Sequence, residues 1–290
     1  MEILNAIIQG IIQGLSEFLP VSSSGHLLLY QYLTGNSGEA GLFMSVVLHL
    51  GTLLAVFVAF RSTISALIKE FFVMVRDIMN KKFRFDRMNS TRRMIIMLVI
   101  STAVLLPFYI LKKPIEKFSG NPNMIILGVF FLLTSFLLFM SGIRKEGKKE
   151  KRDITYKNAL LIGAFQGVAL APGISRSGST ISGGLLCGFT RETAVRYSFI
   201  LGIPAILGSC LVELKEAFES PDEVIRLFPC IIGFIVSATV GLFAIKLVRM
   251  LLKENKFQIF AYYTLILGVV VVTAGIFERV MQKPIMNFFK

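Results

Sequence analysis

Two stretches of the chain hold residues able to do chemistry where the flanking sequence is hydrocarbon. In Gln13-Gly-Leu-Ser-Glu17-Phe-Leu-Pro20-Val-Ser22-Ser23-Ser24-Gly25-His26, a carboxylate, a proline, a serine run, a glycine and one of two histidines separate the apolar runs Ile3 to Leu15 and Leu27 to Tyr30. The second stretch comes 153 residues later: Gln166-Gly-Val-Ala-Leu-Ala-Pro172-Gly173-Ile-Ser175-Arg176-Ser177-Gly178-Ser179-Thr180. An acid, a guanidinium and hydroxyl-rich turns are costly in apolar surroundings, so they mark a working site rather than packing.

Gln13 and Glu17 are four residues apart and share one face of a helix. A carboxylate with an amide can hold a hard divalent cation, Mg²⁺ or Ca²⁺, with phosphate oxygens completing the shell. The competing reading is an interhelical hydrogen-bonded pair. Arg176, flanked by Ser175 and Ser177 after Pro172-Gly173, opens the returning helix. A helix N-terminus with a guanidinium and hydroxyls is a phosphate cradle. The competing reading there is an Arg176–Glu17 salt bridge, which is compatible with function. His26 follows the serine run and is read as catalytic, because a hydroxyl beside a base is the usual route to an activated nucleophile. Thr180, one turn past Ser177, either binds phosphate or bonds its own backbone. His49 has no acidic neighbour in sequence and is read as structural or supporting.

These residues must be positioned by membrane helices. The chain of 290 residues is 54% hydrophobic and 17% charged, with a mean hydropathy of +0.70. That composition defines a polytopic membrane protein, not a soluble domain. The net charge of +13 lies in loops between apolar runs, without a nucleic-acid motif, so topology explains it better than nucleic acid does. Cys187, Cys210 and Cys230 are widely spaced in apolar segments and read as packing residues rather than a metal or disulfide framework. No removable signal peptide is expected at the N-terminus.

Residues 3–30 and 157–188 are apolar but broken, each arm about half the roughly 20 residues that a span needs. Each is expected to be a re-entrant helix hairpin. Six uninterrupted runs are expected to span, at about 42–60, 94–111, 124–143, 194–214, 228–246 and 260–277. The fold class is therefore all-α, a single membrane domain of two repeats, about 1–143 and 154–290. The halves align without a gap at the offset of 153, with identities that include Gln13/Gln166, Ser22/Ser175, Ser24/Ser177, Gly25/Gly178 and Ser45/Ser198. Three crossings per half is odd, so the second repeat must be inverted, with its broken segment meeting the first near the bilayer midplane.

Loop charge agrees. Segments 61–93, 144–157 and 246–256 hold nine, seven and four Lys/Arg, against three in 112–123 and two in 215–227. The first three are expected in the cytoplasm and both termini outside. Segment 61–93, with Arg76, Lys81, Lys82, Arg84 and Arg87 among Phe and Met, is either an amphipathic helix on the anionic leaflet or a basic loop. Segment 144–152 reads as a solvated linker.

Gln13-x-x-x-Glu17 with Pro20-Val-Ser-Ser-Ser-Gly-His26 resembles the first signature of the undecaprenyl-diphosphatase family, known also for bacitracin resistance. Pro172-Gly173-x-Ser175-Arg176-Ser177-x-x-Thr180 resembles the second, and the resemblance covers nearly the whole chain. The first acidic position is Glu or Gln in that family, and here it is Gln13, which leaves one carboxylate. The resemblance implies hydrolysis of undecaprenyl diphosphate to the monophosphate, with a divalent cation, at the outer face of the bacterial cytoplasmic membrane. This recycles the lipid carrier of cell-wall synthesis. On this reading Arg176, Gly173, Ser22, Ser24, Ser175, Ser177 and Thr180 bind phosphate, and Glu17 and Gln13 hold the cation. Ser23 is the nucleophile, with His26 as base and later acid; direct attack by His26, or by water that His26 activates, are the other routes. The expected partners are a polyprenyl diphosphate, membrane lipids and a second copy in a homodimer, without nucleic acid. The alternative function on such a scaffold is lipid-phosphate transport.

Overall fold

The computed structural model describes residues 2–34, 41–84, 88–108, 110, 123–219, 226–254 and 256–282, and these form helices with no strand among them. Two short helices come first, α1 (Glu2–Ser16) and α2 (Ser23–Thr34), followed by α3 (Leu42–Ala59), α4 (Arg61–Met79), α5 (Ser90–Ala103) and α6 (Met124–Gly142). The second half begins with α7 (Tyr156–Val168) and α8 (Arg176–Leu186), then α9 (Arg191–Glu219), α10 (Leu227–Lys253) and α11 (Gln258–Met281). Among the described residues six helices are long and apolar enough to cross a bilayer: α3, α6, α9, α10, α11, and α5 continued past a turn at Val104 to Phe108. Each of the six predicted runs coincides with one of these helices, and residues 109 and 111 of the second run lie outside the described residues. Helices α9, α10 and α11 extend beyond their apolar windows, since hydrogen bonding continues where hydropathy ends.

The two broken segments do break. Helix α1 is 15 residues long, about 22 Å, short of the roughly 30 Å hydrocarbon core. Helix α8 has 11 residues. Side-chain caps start helices where the sequence supplies them. Asn89 accepts from Thr91 and Arg92, Asn123 from Ile125 and Ile126, and Thr155 forms a capping box with Asn158.

Close backbone approach holds the bundle, because lipid offers no hydrophobic drive between helices. Helices α1 and α3 both pack along α10. A Cβ on Gly14 would stand 2.8 Å from the Ser237 carbonyl, and one on Gly51 would stand 2.6 Å from that of Phe234. Helix α6 meets α11 through Gly128 and Gly268 in the same manner. Helix α9 packs on α3 and α8, and α7 on α5. The buried core runs under the first broken segment, where Phe18 meets Phe199 edge-on at 5.3 Å and Phe60 meets Phe199 at 5.9 Å.

Two loop expectations resolve. The basic segment after α3 is a helix over Arg61–Met79, with Ile68, Phe71, Phe72 and Met79 exposed; Arg87 lies outside the described residues. Segment 144–152 is not a free linker. Lys149 pairs with the 188–190 turn, its N–H donating to Gly188 O and its carbonyl accepting from Thr190, both at 3.0 Å. Glu146 reaches Arg191 and a 3₁₀ turn covers Lys151–Asp153. Backbone pairing won over charge repulsion there because the long basic side chains project to solvent while the main chain bonds. The three cysteines are free thiols, with Cys210 and Cys230 buried.

Gly51→Ala is expected to destabilise by about 1–3 kcal/mol, since its methyl meets α10 backbone that cannot move aside. Detergent-solubilised unfolding of the variant beside wild type checks this; an unchanged midpoint would refute the close α3–α10 contact.

Candidate active site

Glu17 sits in the turn that follows α1, where Pro20 ends helical bonding. Its backbone N–H still bonds Gln13 O at 3.0 Å, which keeps the Gln13/Glu17 face intact. The turn then passes through Ser22 at φ +74°, a left-handed conformation unusual for serine. Local bonds hold it there. Ser22 O accepts from the His26 backbone (3.2 Å) and from its ring Nδ1 (2.7 Å), while Ser22 Oγ accepts from Gly25 N (3.3 Å). The second turn bends at Gly173, φ +98°, where a Cβ would stand 2.9 Å from Phe130 Cβ. Glycine is the residue that satisfies both constraints. Thr134 of α6 clamps this turn: its hydroxyl donates to Gly173 O and accepts from Ser175 N, both at 3.1 Å.

The two turns touch. A Cβ on Gly25 would lie 3.1 Å from Gly173 Cα, and one on Gly178 would lie 3.2 Å from Pro20 Cβ. Ser177 Oγ donates to Leu19 O at 3.2 Å. At the junction Arg176 Nη2 donates to Glu17 Oε1 at 2.5 Å. The other carboxylate oxygen, Oε2, accepts from Ser23 Oγ at 2.8 Å and from Gln13 Nε2 at 3.0 Å. Glu17 is 7% exposed, so this ion pair acts in a poorly screened setting. The guanidinium is backed by Ser198 O at 3.5 Å and by Gly202, whose hydrogen leaves it room.

Glu17, Gln13, Ser23 and Arg176 are therefore assembled as the sequence anticipated, and the Arg176–Glu17 pair exists. The Gln13–Glu17 bond runs within one helical turn rather than between helices. His26 and Ser23, three residues apart on α2, bond other partners rather than each other. Its Nδ1 bonds the Ser22 carbonyl, so Nδ1 carries the proton; Nε2 then accepts the Tyr263 hydroxyl at 2.7 Å. Tyr263 also stacks on the ring, and Phe131 meets it edge-on. The Ser23 proton points to Glu17 instead, so the expected Ser23–His26 contact is replaced by Ser23–Glu17.

Ser22 and Ser175 are helix caps, accepting from Gly25 N and Gly178 N, and their hydroxyls lie near Ser24 Oγ (3.4 Å) and Ser177 Oγ (3.3 Å). Thr180 bonds Arg176 O at 2.9 Å and meets Ser198 Oγ at 2.6 Å. It thus bonds its own backbone, the competing reading, while also bracing α9 against α8. His49 bonds the Ser45 carbonyl at 2.9 Å. Residues that sequence reasoning missed are Tyr263, Thr134, Ser198, Gly202 and Glu213, which accepts from Ser45 Oγ at 2.9 Å. Ser198 had a signal in its identity with Ser45 across the offset. The others lie in apolar helices whose register against the turns is a property of packing.

The donor set fits a hard cation carried with a phosphate ligand. Among the described residues no three His, Cys, Asp or Glu side chains gather, so a closed protein cage is not the fit. Yet Gln13 Oε1 is buried without a partner beside the Glu17 carboxylate. An orphaned amide oxygen next to a carboxylate is suited to Mg²⁺ or Ca²⁺ that brings most of its own oxygen shell.

Fold and site together define a multi-pass membrane protein with an acid–serine–arginine centre where two broken helices meet. The chain matches the family described as "Bacitracin resistance protein BacA" over residues 6–270, and it belongs to that family. It is 38% identical to the undecaprenyl-diphosphatase of Alkaliphilus metalliredigens over 276 residues, covering 94% of this chain and 98% of that one. It is 40% identical to the undecaprenyl-diphosphatase of Halothermothrix orenii over 280 residues (96% and 100%), and 38% identical to that of Methanosphaera stadtmanae over 283 (95% and 99%).

Arg176→Gln strands a buried carboxylate and is expected to destabilise by roughly 3–5 kcal/mol. Glu17→Gln/Arg176→Gln, which removes both charges, is expected to recover at least about half of that. A double-mutant cycle in denaturant measures the coupling; additive losses would mean the pair is not an energetic unit.

Proposed function

We propose that this protein hydrolyses undecaprenyl diphosphate to undecaprenyl phosphate and inorganic phosphate, the activity for which its relatives are named. The observation that carries it is the Ser23–Glu17–Arg176 arrangement: a hydroxyl donating to a carboxylate whose other oxygen holds a guanidinium. In the first half-reaction Ser23 Oγ attacks the terminal phosphorus and the bond to the bridging oxygen breaks. Undecaprenyl phosphate leaves with that electron pair. Glu17 takes the Ser23 proton, as its 2.8 Å bond prepares it to do. Arg176, freed toward the phosphates, stabilises the charge that develops on the transferring group. Water then attacks the phosphoserine, the phosphorus–Oγ bond breaks, and Ser23 recovers its proton from Glu17. His26 has its Nδ1 locked, so Nε2 is its exchangeable position; displacement of the Tyr263 hydroxyl frees it to receive the proton of that water. The serine turns and Gly173 shape the phosphate cradle, with Ser22, Ser24, Ser175, Ser177 and Thr180 as its hydroxyls.

Glu17 and Gln13 Oε1 would hold the divalent cation, Mg²⁺ or Ca²⁺, which when bound supplies Lewis-acid neutralisation of diphosphate oxygens. The relatives carry a hydrolase's name, and lipid carriage on this scaffold has no comparable support.

The proposal includes the placement. The broken segments are read as re-entrant hairpins of two inverted repeats, 1–143 and 154–290. The offset of 153 carries Pro20 to Gly173 and Gly25 to Gly178, and the contacts Pro20–Gly178 and Gly25–Gly173 are each other's images under it. With the basic loops in the cytoplasm, both termini lie outside and the site opens to the outer face of the bacterial plasma membrane. A homodimer belongs to the same reading, although Glu17, Ser23 and Arg176 all come from one chain.

Purified protein should release phosphate from a polyprenyl diphosphate only with Mg²⁺ or Ca²⁺ present. Glu17→Ala, Arg176→Ala and Ser23→Ala are each expected to lose at least roughly a hundredfold in turnover. Folded Ser23→Ala that turns over normally would end the serine route. Gly202→Ala pushes a methyl into the Arg176 guanidinium and should cost about 10- to 100-fold with the fold retained. A wild-type rate there would mean that Arg176 does not need its position.

A further inference from the structure

A second polar concavity lies among the basic segments and shares no residue with the Glu17 junction. It is a cavity of about 190 Å³ between the first turns of α4 and α5, lined by the hydroxyl residues Ser62, Thr63 and Thr91 and by the cations Lys151 and Arg196, with Leu67 at its apolar side. Lys151 has no carboxylate partner among the described residues. Arg196 has one, Glu192, one helical turn away and 78% exposed, a pairing worth little in water. Arg249 lies with its guanidinium 4.2 Å over the ring of Phe60, the residue that precedes α4. Two cations and three hydroxyl residues line one space, and no carboxylate is among its lining residues.

The surroundings sharpen its chemistry. Both acids of α4, Glu70 and Asp77, are consumed by Arg92 of α5 at 2.7 and 2.8 Å. This pins α4 beside the cavity and removes the acids that would otherwise oppose an anion. Lys69 and Arg76 remain on the helix, whose exposed Ile68, Phe71 and Phe72 form an apolar flank. A ligand with a compact, multiply accepting oxyanion suits the cavity, and a hydrocarbon portion suits the flank.

We propose that this cavity is a phosphate-binding site, distinct from the hydrolytic centre, that takes the phosphate of an anionic phospholipid headgroup or free inorganic phosphate. It rests on the membrane placement above, which puts it on the cytoplasmic face, and it is independent of the hydrolysis. The guanidinium of Arg196 and the ammonium of Lys151 neutralise the anion, and the hydroxyls of Ser62, Thr63 and Thr91 donate to its oxygens.

The test uses the full chain, delipidated in dodecyl maltoside, a detergent without phosphate. The thermal midpoint is titrated with inorganic phosphate in one arm and with phosphatidylglycerol in the other. A rise with phosphatidylglycerol alone identifies a headgroup site; a rise with both identifies a site for phosphate from either source. Lys151→Gln/Arg196→Gln is expected to weaken the half-saturating concentration at least about tenfold, and Thr91→Val, which keeps the fold if the double variant does not, roughly fivefold. Phosphate release from polyprenyl diphosphate should be unchanged in both, which separates this site's failure from the failure of the hydrolase reading. No rise in either arm would overturn the site. So would an equal loss of response in Lys69→Gln/Arg76→Gln, since that would mean diffuse surface charge.

Discussion

The Glu17–Arg176 ion pair is the constraint on which the rest depends. Each charge alone would be expensive in the buried setting where α1 ends and α8 begins. Together, at 2.5 Å, they form a neutral unit that ties residue 17 to residue 176 across the chain. Only a fold that brings both broken segments to one point can make that bond. The surrounding details serve the junction: Pro20 and Gly173 turn the chain, Ser22 and Ser175 cap the returning helices, and Thr134 clamps the second turn from α6. Ser22 in the left-handed region stores about 1–3 kcal/mol of strain, which its own bonds to Gly25 and His26 maintain.

Helix α10 is the mechanical counterpart of the ion pair. It receives α1 through Gly14 and α3 through Gly51, so the helix that carries Gln13 and the helix that carries His49 are both indexed to one backbone. Helix α9 performs the same task for the guanidinium with Ser198 and Gly202. Positioning in this protein is done by small residues that permit contact, and polar residues then lock what contact has aligned.

Much of this was legible in the sequence, because bilayer physics imposes long apolar runs and makes every interruption conspicuous. The six spans, the two breaks and the partnership of Glu17 with Arg176 follow from that. Segment 144–152 misled because its composition is that of a solvated linker, and backbone pairing to residues 188–190 leaves no compositional trace. Tyr263 was invisible for a related reason: it lies in an apolar helix, and only the packing of α11 on α6 delivers its hydroxyl to His26. The partner of the Ser23 hydroxyl was equally hidden, since proximity in sequence says nothing about which ring nitrogen the Ser22 carbonyl claims or which oxygen the serine faces.

The offset alignment also shows how the two turns come to differ in chemistry. At equivalent positions of the two turns stand Ser23 and Arg176, a hydroxyl and a guanidinium that both bond Glu17. Glu17 has Leu170 as its counterpart, so acid is supplied by one half only. Gln13 and Gln166 are both present, yet Gln166 is buried with neither amide atom bonded, whereas Gln13 spends its nitrogen on Glu17 and keeps its oxygen free. With a single carboxylate balanced by a single guanidinium, the site is near neutral without a ligand. A resident dication would leave it strongly positive in an apolar setting, while a dication arriving on a diphosphate brings its own compensating charge. With Gln13 in place of a carboxylate beside Glu17, the charge balance of the empty site is met by Arg176 alone.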